Sequence, residues 1–399
     1  MKILVLNAGS SSLKFQLFVV DDWSVAASGS VTRIGETASD LSYRWLDADG
    51  QAQTLNEHQG IGSHHAALER IVVELRRSGV LAELSELYAV GHRVVHGGEA
   101  FHAPTPIDDE VIDAIRQMIP LAPLHNPAAL DGILVARALF AQVPQVAVFD
   151  TAFHQTMPRA AYRYAIPEPL YREHRVRRYG FHGTSHRYVG KRAAALLGHS
   201  FERCHLITLH LGNGASATAI RNGSSVDTSM GMTPLEGLVM GTRCGDIDPA
   251  VVFYLKQQLG LDDHSVDDLL NRRSGLLGLC GVNDMREIQR LVESGNEAAE
   301  LALSVFAYRL KKYIGAYYAA LGTVDAVVFT GGIGENAAAI RARACAGLEQ
   351  LGIALDPIRN QAPNSGERLI STADASVQVL VIPTNEELEI AQQTLEAVG

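Results

Sequence analysis

The chain has 399 residues, with 34 Lys+Arg against 44 Asp+Glu and a formal net charge of −10 at pH 7. That length suits two domains, each able to bury its own core, and 47% apolar with 20% charged residues is ordinary globular usage, which excludes disordered, collagen-like and coiled-coil chains. An acidic chain lacks the cationic surface that sequence-independent binding to nucleic acid or to an anionic membrane requires, so neither is expected as a partner.

Ile3 to Leu6 reads as a strand, Asn7-Ala8-Gly9-Ser10-Ser11 as a tight turn, and Ser12 to Phe18 as a returning strand in which Leu13, Phe15 and Leu17 alternate with Lys14 and Gln16. The opening apolar run stops at Asn7, too short for a signal peptide, and no stretch reaches the roughly 18 apolar residues of a membrane span, so a cytoplasmic location is expected. Ile61 to Gly79 has helical spacing, with Ala67, Ile71 and Leu75 on one stripe. Leu87 to Val95 and Val143 to Asp150 read as strands. The plan of the opening hairpin then returns: His205 to Leu211 is a strand, Gly212-Asn213-Gly214-Ala215-Ser216 a turn, and Ala217 to Ile220 a strand. Ser304 to Leu321 is a helix pattern, Val324 to Phe329 a buried-strand run, and Thr384 with Glu387 a capping box opening a helix to the C-terminus. Strands alternating with helices predict α/β layers. The weak repeat suggests two similar domains whose turns border one cleft. Cys204, Cys244, Cys280 and Cys345 make no CxxC or CxxH, which argues for a reducing compartment and against structural zinc.

Three glycine-rich segments follow apolar strands: Asn7 to Ser12, Leu211 to Ala215, and Gly331 to Asn336. Any one alone reads as a tight turn, but glycine also lets a backbone approach a phosphate and offer it N–H donors. Three such segments, with Lys14 among few lysines, suggest a polyphosphate ligand. Gly332 to Ala337 matches GxGxxA, yet the acid about 20 residues on that a dinucleotide site needs is missing, and neither a Walker A nor a GxSxG motif occurs. His182 and His186 have zinc-helix spacing without the intervening Glu or a third ligand.

In Gly91-His92-Arg93-Val94-Val95-His96, strand alternation puts Arg93 and Val95 on one face. A guanidinium beside a small apolar group suits a short carboxylic acid; the alternative is a structural ion pair. Arg243, in a small-residue loop, could be solvated or reach into a cleft. Asp150 ends a strand, where it could be a catalytic carboxylate or a helix cap, and Glu386 reads most simply as a capping acid.

The runs Val5 to Phe15, Gly91 to Gly98, Phe181-His182-Gly183-Thr184-Ser185-His186 and Thr384-Asn385-Glu386-Glu387 together closely resemble the acetate kinase family, and the resemblance covers essentially the whole chain. It implies two duplicated actin-like (ribonuclease H-like) α/β domains around an interdomain nucleotide cleft, with boundaries at 1–150 plus the C-terminal helix 386–399 on the acetate side and 151–385 on the nucleotide side. It implies reversible phosphoryl transfer from ATP to acetate, giving ADP and acetyl phosphate, with Mg²⁺ or in its place Mn²⁺, in a homodimer. A propionate or butyrate kinase of the same family is the alternative. Carried over residue by residue, Asn7 and Glu386 match the magnesium positions. Lys14 and the turn His210, Leu211, Gly212, Asn213 and Gly214 match the phosphate side. Asp284, Met285 and Arg286 with Gly332, Ile333, Gly334, Glu335 and Asn336 match the adenosine side. Arg93 matches the acetate ligand, with Val95, Leu124, Phe181 and Pro234 around the methyl, and Asp150, His182 and Arg243 match the catalytic groups. Because a carboxylate is already ionised at pH 7 it needs no general base, so Asp150 is expected to orient a cation or a water rather than take a proton.

Overall fold

A computed structural model describes residues 1–47, 49–123, 125–363 and 366–399. The chain divides into two compact units, Met1–Gln155 with Asn385–Gly399, and Thr156–Thr384. Each is built on one mixed sheet. Among the described residues no helix is long and apolar enough to cross a membrane, and all four cysteines are free thiols.

In the first unit the chain lays down β1 (Lys2–Gly9), β2 (Ser12–Val19), β3 (Val25–Thr32), β4 (Ser39–Leu46) and β5 (Ala52–Gln59) as an antiparallel meander, passes through the helix His64–Arg77, and enters the middle of the sheet as β6 (Leu87–Val94). With β7 (Thr105–Pro106) and β8 (Gln145–Phe149) the order is β5-β4-β3-β2-β1-β6-β8-β7, and β1, β6 and β8 are parallel. The helix Asn126–Leu139 lies in the crossover that parallel neighbours β6 and β8 require. Ala67, Ile71 and Leu75 are buried with Leu4, Leu6, Leu13 and Phe15 on one side of the sheet, the stripe that the sequence spacing predicts. On the other side Ile3, Val5, Val146 and Val148 meet Ile390 and Ala391 of the C-terminal helix Glu386–Val398. Strand alternation therefore turns the odd residues of β1 toward the C-terminal helix. Gly91 allows that helix to press on β6: a Cβ there would meet Thr394 Oγ1 at 2.3 Å and Ile390 Cγ2 at 3.0 Å.

In the second unit β9 (His205–Leu211), β10 (Ala215–Arg221), β11 (Ser224–Thr228), β12 (Ala326–Thr330), β13 (Arg368–Leu369) and β14 (Gln378–Val381) form a sheet of order β11-β10-β9-β12-β14-β13. Here β9, β12 and β14 are parallel. The core order β3-β2-β1-β6-β8 of the first sheet recurs as β11-β10-β9-β12-β14 in the second, so the repeat in sequence is a repeat of topology.

The ladder corrects several local expectations. β1 continues to Gly9 and β2 starts at Ser12, so Asn7 is no turn residue but the cross-strand partner of Lys14. Gly331–Asn336 is a six-residue helix rather than a turn. The C-terminal helix is capped by Asn385, whose Oδ1 accepts from Leu388 N at 3.0 Å, and no Thr384–Glu387 box forms. Asparagine at that position satisfies the same orphan donor. Glu386, the first helical residue, makes no cap hydrogen bond but stands in the first turn, where its charge complements the helix dipole as the sequence reading expects. The helix predicted from Ser304 begins at Glu297, because Asn296 Oδ1 accepts from Ala299 N at 2.9 Å.

Candidate active site

In the first unit, register gathers the candidate residues. Asn7 faces Lys14 across the β1–β2 ladder, and Val5 lies beside Gly91 in the β1–β6 ladder, so Asn7, Lys14 and Arg93 share the sheet face on which the C-terminal helix packs. Together with Val95, Ser12 and His125 they line a cavity of about 200 Å³. Arg93 Nη2 donates to Asp150 Oδ2 at 2.7 Å and its Nε to the same oxygen at 3.1 Å. The Asp150 side chain is 2% exposed, and Glu386 Oε2 stands 3.8 Å from Nη2. Burial works against charge on Arg93, but Asp150 foremost, then Glu386, more than offsets it and pushes the guanidinium pKa up. The ion-pair alternative raised for Arg93 is thus realised on one edge of the guanidinium. Its Nη1 has no protein acceptor among the described residues. Asp150 N donates to Val94 O at 2.9 Å, which fixes the carboxylate beside the end of β6. Leu124 lies outside the described residues.

In the second unit His182 takes φ +56° at the start of the helix Gly183–Leu197. Its Nδ1 is 2.9 Å from Ser216 Oγ, and its ring stacks on His210 with centroids 4.3 Å apart. One helical turn on, His186 binds the same hydroxyl through Nε2 at 2.8 Å and Thr208 Oγ1 through Nδ1 at 2.7 Å. The i, i+4 histidines are therefore joined by a serine, and among the described residues no three His, Cys, Asp or Glu side chains form a metal cluster. Ser185 Oγ, 2.8 Å from both His210 Nδ1 and Thr384 Oγ1, holds the second ring.

A Cβ on Gly214 would lie 3.5 Å from Arg243 Nη1 and 3.6 Å from His182 Cε1, so the β9–β10 turn, the histidine and the arginine converge. Arg243 Nη1 donates to Pro234 O at 3.2 Å and approaches Met240 Sδ at 3.6 Å, and among the described residues no carboxylate pairs with it. Burial accordingly pushes its pKa down. Gly241 N donates to Asn213 O at 2.9 Å, and Asn283 Nδ2 to Asn213 Oδ1 at 3.2 Å, which brings the Asp284–Arg286 segment to the same turn. Asp284 caps the helix Met285–Glu293 and is held at about 2, mainly by its hydrogen bond from exposed Arg286. Gly331 takes φ +76° with the Leu211 carbonyl 2.8 Å from where its Cβ would be, so the helix carrying Gly332, Ile333, Gly334, Glu335 and Asn336 sits against the end of β9. Phe181 is buried and Pro234 half-buried in this unit.

Several contributing residues were not singled out from the sequence. Pro127 in the first turn of the helix Asn126–Leu139 marks a helix start and could have drawn attention to His125 before it. Ser216 and Ser185 carry no such signal, because a serine becomes a histidine's partner only through sheet and helix packing. Arg341, 1% exposed, donates to Gly334 O at 2.8 Å and Glu335 O at 3.0 Å and so fastens the Gly331–Asn336 helix; in sequence it reads as one more solvent-facing helical arginine.

The description "Acetokinase family" matches residues 2–392. The acetate kinase of Streptomyces avermitilis is 57% identical over 398 residues, covering 100% of this chain and 98% of the relative, and that of Syntrophobacter fumaroxidans is 52% identical over 399 residues, covering 100% and 97%. Among solved structures, Porphyromonas gingivalis acetate kinase superposes with a TM-score of 0.93 at 45% identity over 100% of both chains. A propionate kinase from Francisella tularensis superposes with a TM-score of 0.92 at 42% identity over 99% of both. Full-length likeness in sequence and fold, on top of a site assembled at the strand ends of each unit, leaves one conclusion: the chain belongs to the acetokinase family and is a phosphotransferase with acetate kinase activity.

Proposed function

We propose that the γ-phosphoryl group passes from ATP to acetate by direct in-line transfer, with the first unit holding acetate and the second holding the nucleotide. The observation that carries this reading is Arg243, a partly buried guanidinium without a carboxylate partner, close to His182 and to the Gly214 turn. A loose phosphoryl transition state spreads negative charge over three equatorial oxygens, and preorganised cations or N–H donors aimed at that charge do most of the catalytic work. Arg243 and the His182 ring supply such groups, and the His210–Gly214 turn supplies backbone donors for the phosphates. Lys14 is the cation for the phosphate from the first unit. The Gly332–Asn336 and Asp284–Arg286 segments form the adenosine side.

Acetate is ionised at pH 7 and needs no proton removed. Asp150 therefore works as a positioning residue: with both Nε and Nη2 of Arg93 bound to it, the remaining edge of the guanidinium is presented in a fixed plane to the acetate carboxylate. Val95, lining the same cavity, borders the methyl; Leu124, Phe181 and Pro234 are assigned to the methyl by the family resemblance alone. Asn7 and Glu386 offer hard oxygen donors suited to Mg²⁺ or Mn²⁺, and Mg²⁺ takes one or two carboxylates together with substrate phosphates rather than a full protein cage. When bound, the ion neutralises phosphate charge.

A cytoplasmic homodimer completes the reading. The helix Ala250–Leu259 buries none of its residues, and Phe253, Tyr254 and Leu259 are each about 60% exposed, an apolar face that a second copy of the chain would cover. The second reading is a wider acceptor range, motivated by the likeness to the Francisella tularensis propionate kinase. A hydroxamate assay with acetate, propionate and butyrate tests the acceptor: acetate giving the highest kcat/KM is expected, and no product with any short acid would sink the reading. Inversion at a chiral γ-phosphate is the expected stereochemistry; retention would show a phosphorylated carboxylate on the enzyme instead.

A further inference from the structure

We propose that Glu236 is a positioning residue that fixes the loop carrying Pro234 and Arg243, and through Arg243 the charge offered to the transferring phosphoryl group. This rests on the role given to Arg243 above. Between the end of β11 at Thr228 and the helix starting at Ala250 the chain has no regular secondary structure, yet it carries both residues. Backbone without a ladder must be held by side chains or by packing.

Glu236 Oε1 accepts from Arg178 Nη2 at 2.6 Å, and Oε2 accepts from the Tyr164 hydroxyl. That hydroxyl in turn accepts from Met232 N at 3.0 Å. Arg178 Nη1 donates to Thr228 O at 2.6 Å and Ser229 O at 3.1 Å, and Tyr179 N donates to Gly231 O at 3.0 Å. Arg178 stands four residues before His182, so one clasp ties the segment leading to His182 to the loop that carries Arg243. The loop folds back because Gly237 adopts φ +108°, where a Cβ would come within 2.5 Å of Ser229 O. Asp246 pins its far end, with Oδ1 accepting from Gly237 N at 2.8 Å and Oδ2 from the Tyr313 hydroxyl at 2.8 Å. The bond from Arg243 to Pro234 O closes the loop on itself.

A carboxylate is what the clasp needs, because it accepts on both oxygens at once and balances Arg178, whose side chain is only 17% exposed. Glutamine keeps the shape and loses the charge, which makes Glu236→Gln the informative change. It should lower kcat about 10- to 100-fold with the KM for ATP within about twofold, and added to Arg243→Ala it should cost almost nothing more, since both act through one guanidinium. Amide exchange, measured without substrate, should speed up in residues 230–246 and stay unchanged in the first unit. Losses that multiply in the double variant, or unchanged exchange across 230–246, would overturn the proposal. Glu236→Asp, which keeps the charge, should recover part of kcat and covers the case in which the glutamine variant does not fold. A parent enzyme that forms no acetyl phosphate would count against the role of Arg243 itself, while the exchange experiment would still decide whether the clasp exists.

Discussion

Arg93 and Arg243 both stand at the mouths of duplicated sheets, yet their surroundings are opposite. Arg93 is bound on one edge by Asp150 and approached by Glu386, and these carboxylates keep it charged against burial. Arg243 meets a carbonyl and a thioether, and burial alone acts on it. A guanidinium held by a fixed anion is a rigid piece of architecture that can present a remaining edge to a ligand present in ground state and transition state alike. A guanidinium without an anion is destabilised until negative charge arrives, and the gain is largest when that charge is greatest. The comparison teaches that counterions set one residue type two different tasks: on the proposed reading Arg93 is the clamp of the first unit and Arg243 the transition-state device of the second.

Stability separates the two first. Arg93→Ala breaks the buried Arg93–Asp150 ion pair, which should cost about 3–5 kcal/mol in urea unfolding, whereas Arg243→Ala removes a guanidinium that no carboxylate answers and should cost less than about 1 kcal/mol. Equal losses would erase the distinction. Kinetics should invert the order: Arg243→Ala lowers kcat roughly 10²- to 10³-fold with little change in the KM for ATP. If the loss falls wholly on KM, Arg243 is a substrate clamp, the role proposed for Arg93.

Acid should expose a further asymmetry. His92 and His96, on the face of the β6 segment opposite Arg93, are both held down to about 4, chiefly by burial. The unfolded chain binds their protons from about pH 6.5, so the stability they contribute is complete above that value and is lost as pH falls toward 4, up to about 3 kcal/mol for each. Urea midpoints at pH 7.5 and 4.5 measure the loss, and His92→Gln should shrink it; an unchanged pH slope in that variant would remove His92 from the account. The smallest effect concerns Val95. Its methyls line the cavity beside Arg93, and one methylene in an apolar pocket is worth about 1–3 kcal/mol, so Val95→Ala should raise kcat/KM for propionate to or above that for acetate, mostly through KM. A variant keeping the parent's preference would move the methyl toward Phe181 and Pro234.

Much of this arrangement was legible before any coordinates. Apolar runs marked β1, β6 and β9, apolar alternation marked β2, and the stripe Ala67, Ile71, Leu75 marked a helix, because periodicity is a local consequence of burial. Where one local signal competed with another the reading slipped. Asn7 looked like a turn residue since Asn, Gly and Ser favour turns, but the ladder with Lys14 held it in the strand. Thr384 looked like a cap, and the neighbouring Asn385 took the place.

The sequence by itself determined the α/β alternation and the repeat, which are written in spacing and composition, and its long motif runs carried the resemblance that named the family and the residues expected to serve phosphoryl transfer. Only the tertiary structure decided what each charge is paired with. The contacts Arg93–Asp150, His182–Ser216 and Arg178–Glu236 join residues 57, 34 and 58 positions apart, and no local propensity encodes them. They arise from sheet register and helix packing. Burial then sets how strongly each charge is felt, which is why two arginines that look alike in the chain have opposite surroundings in the fold.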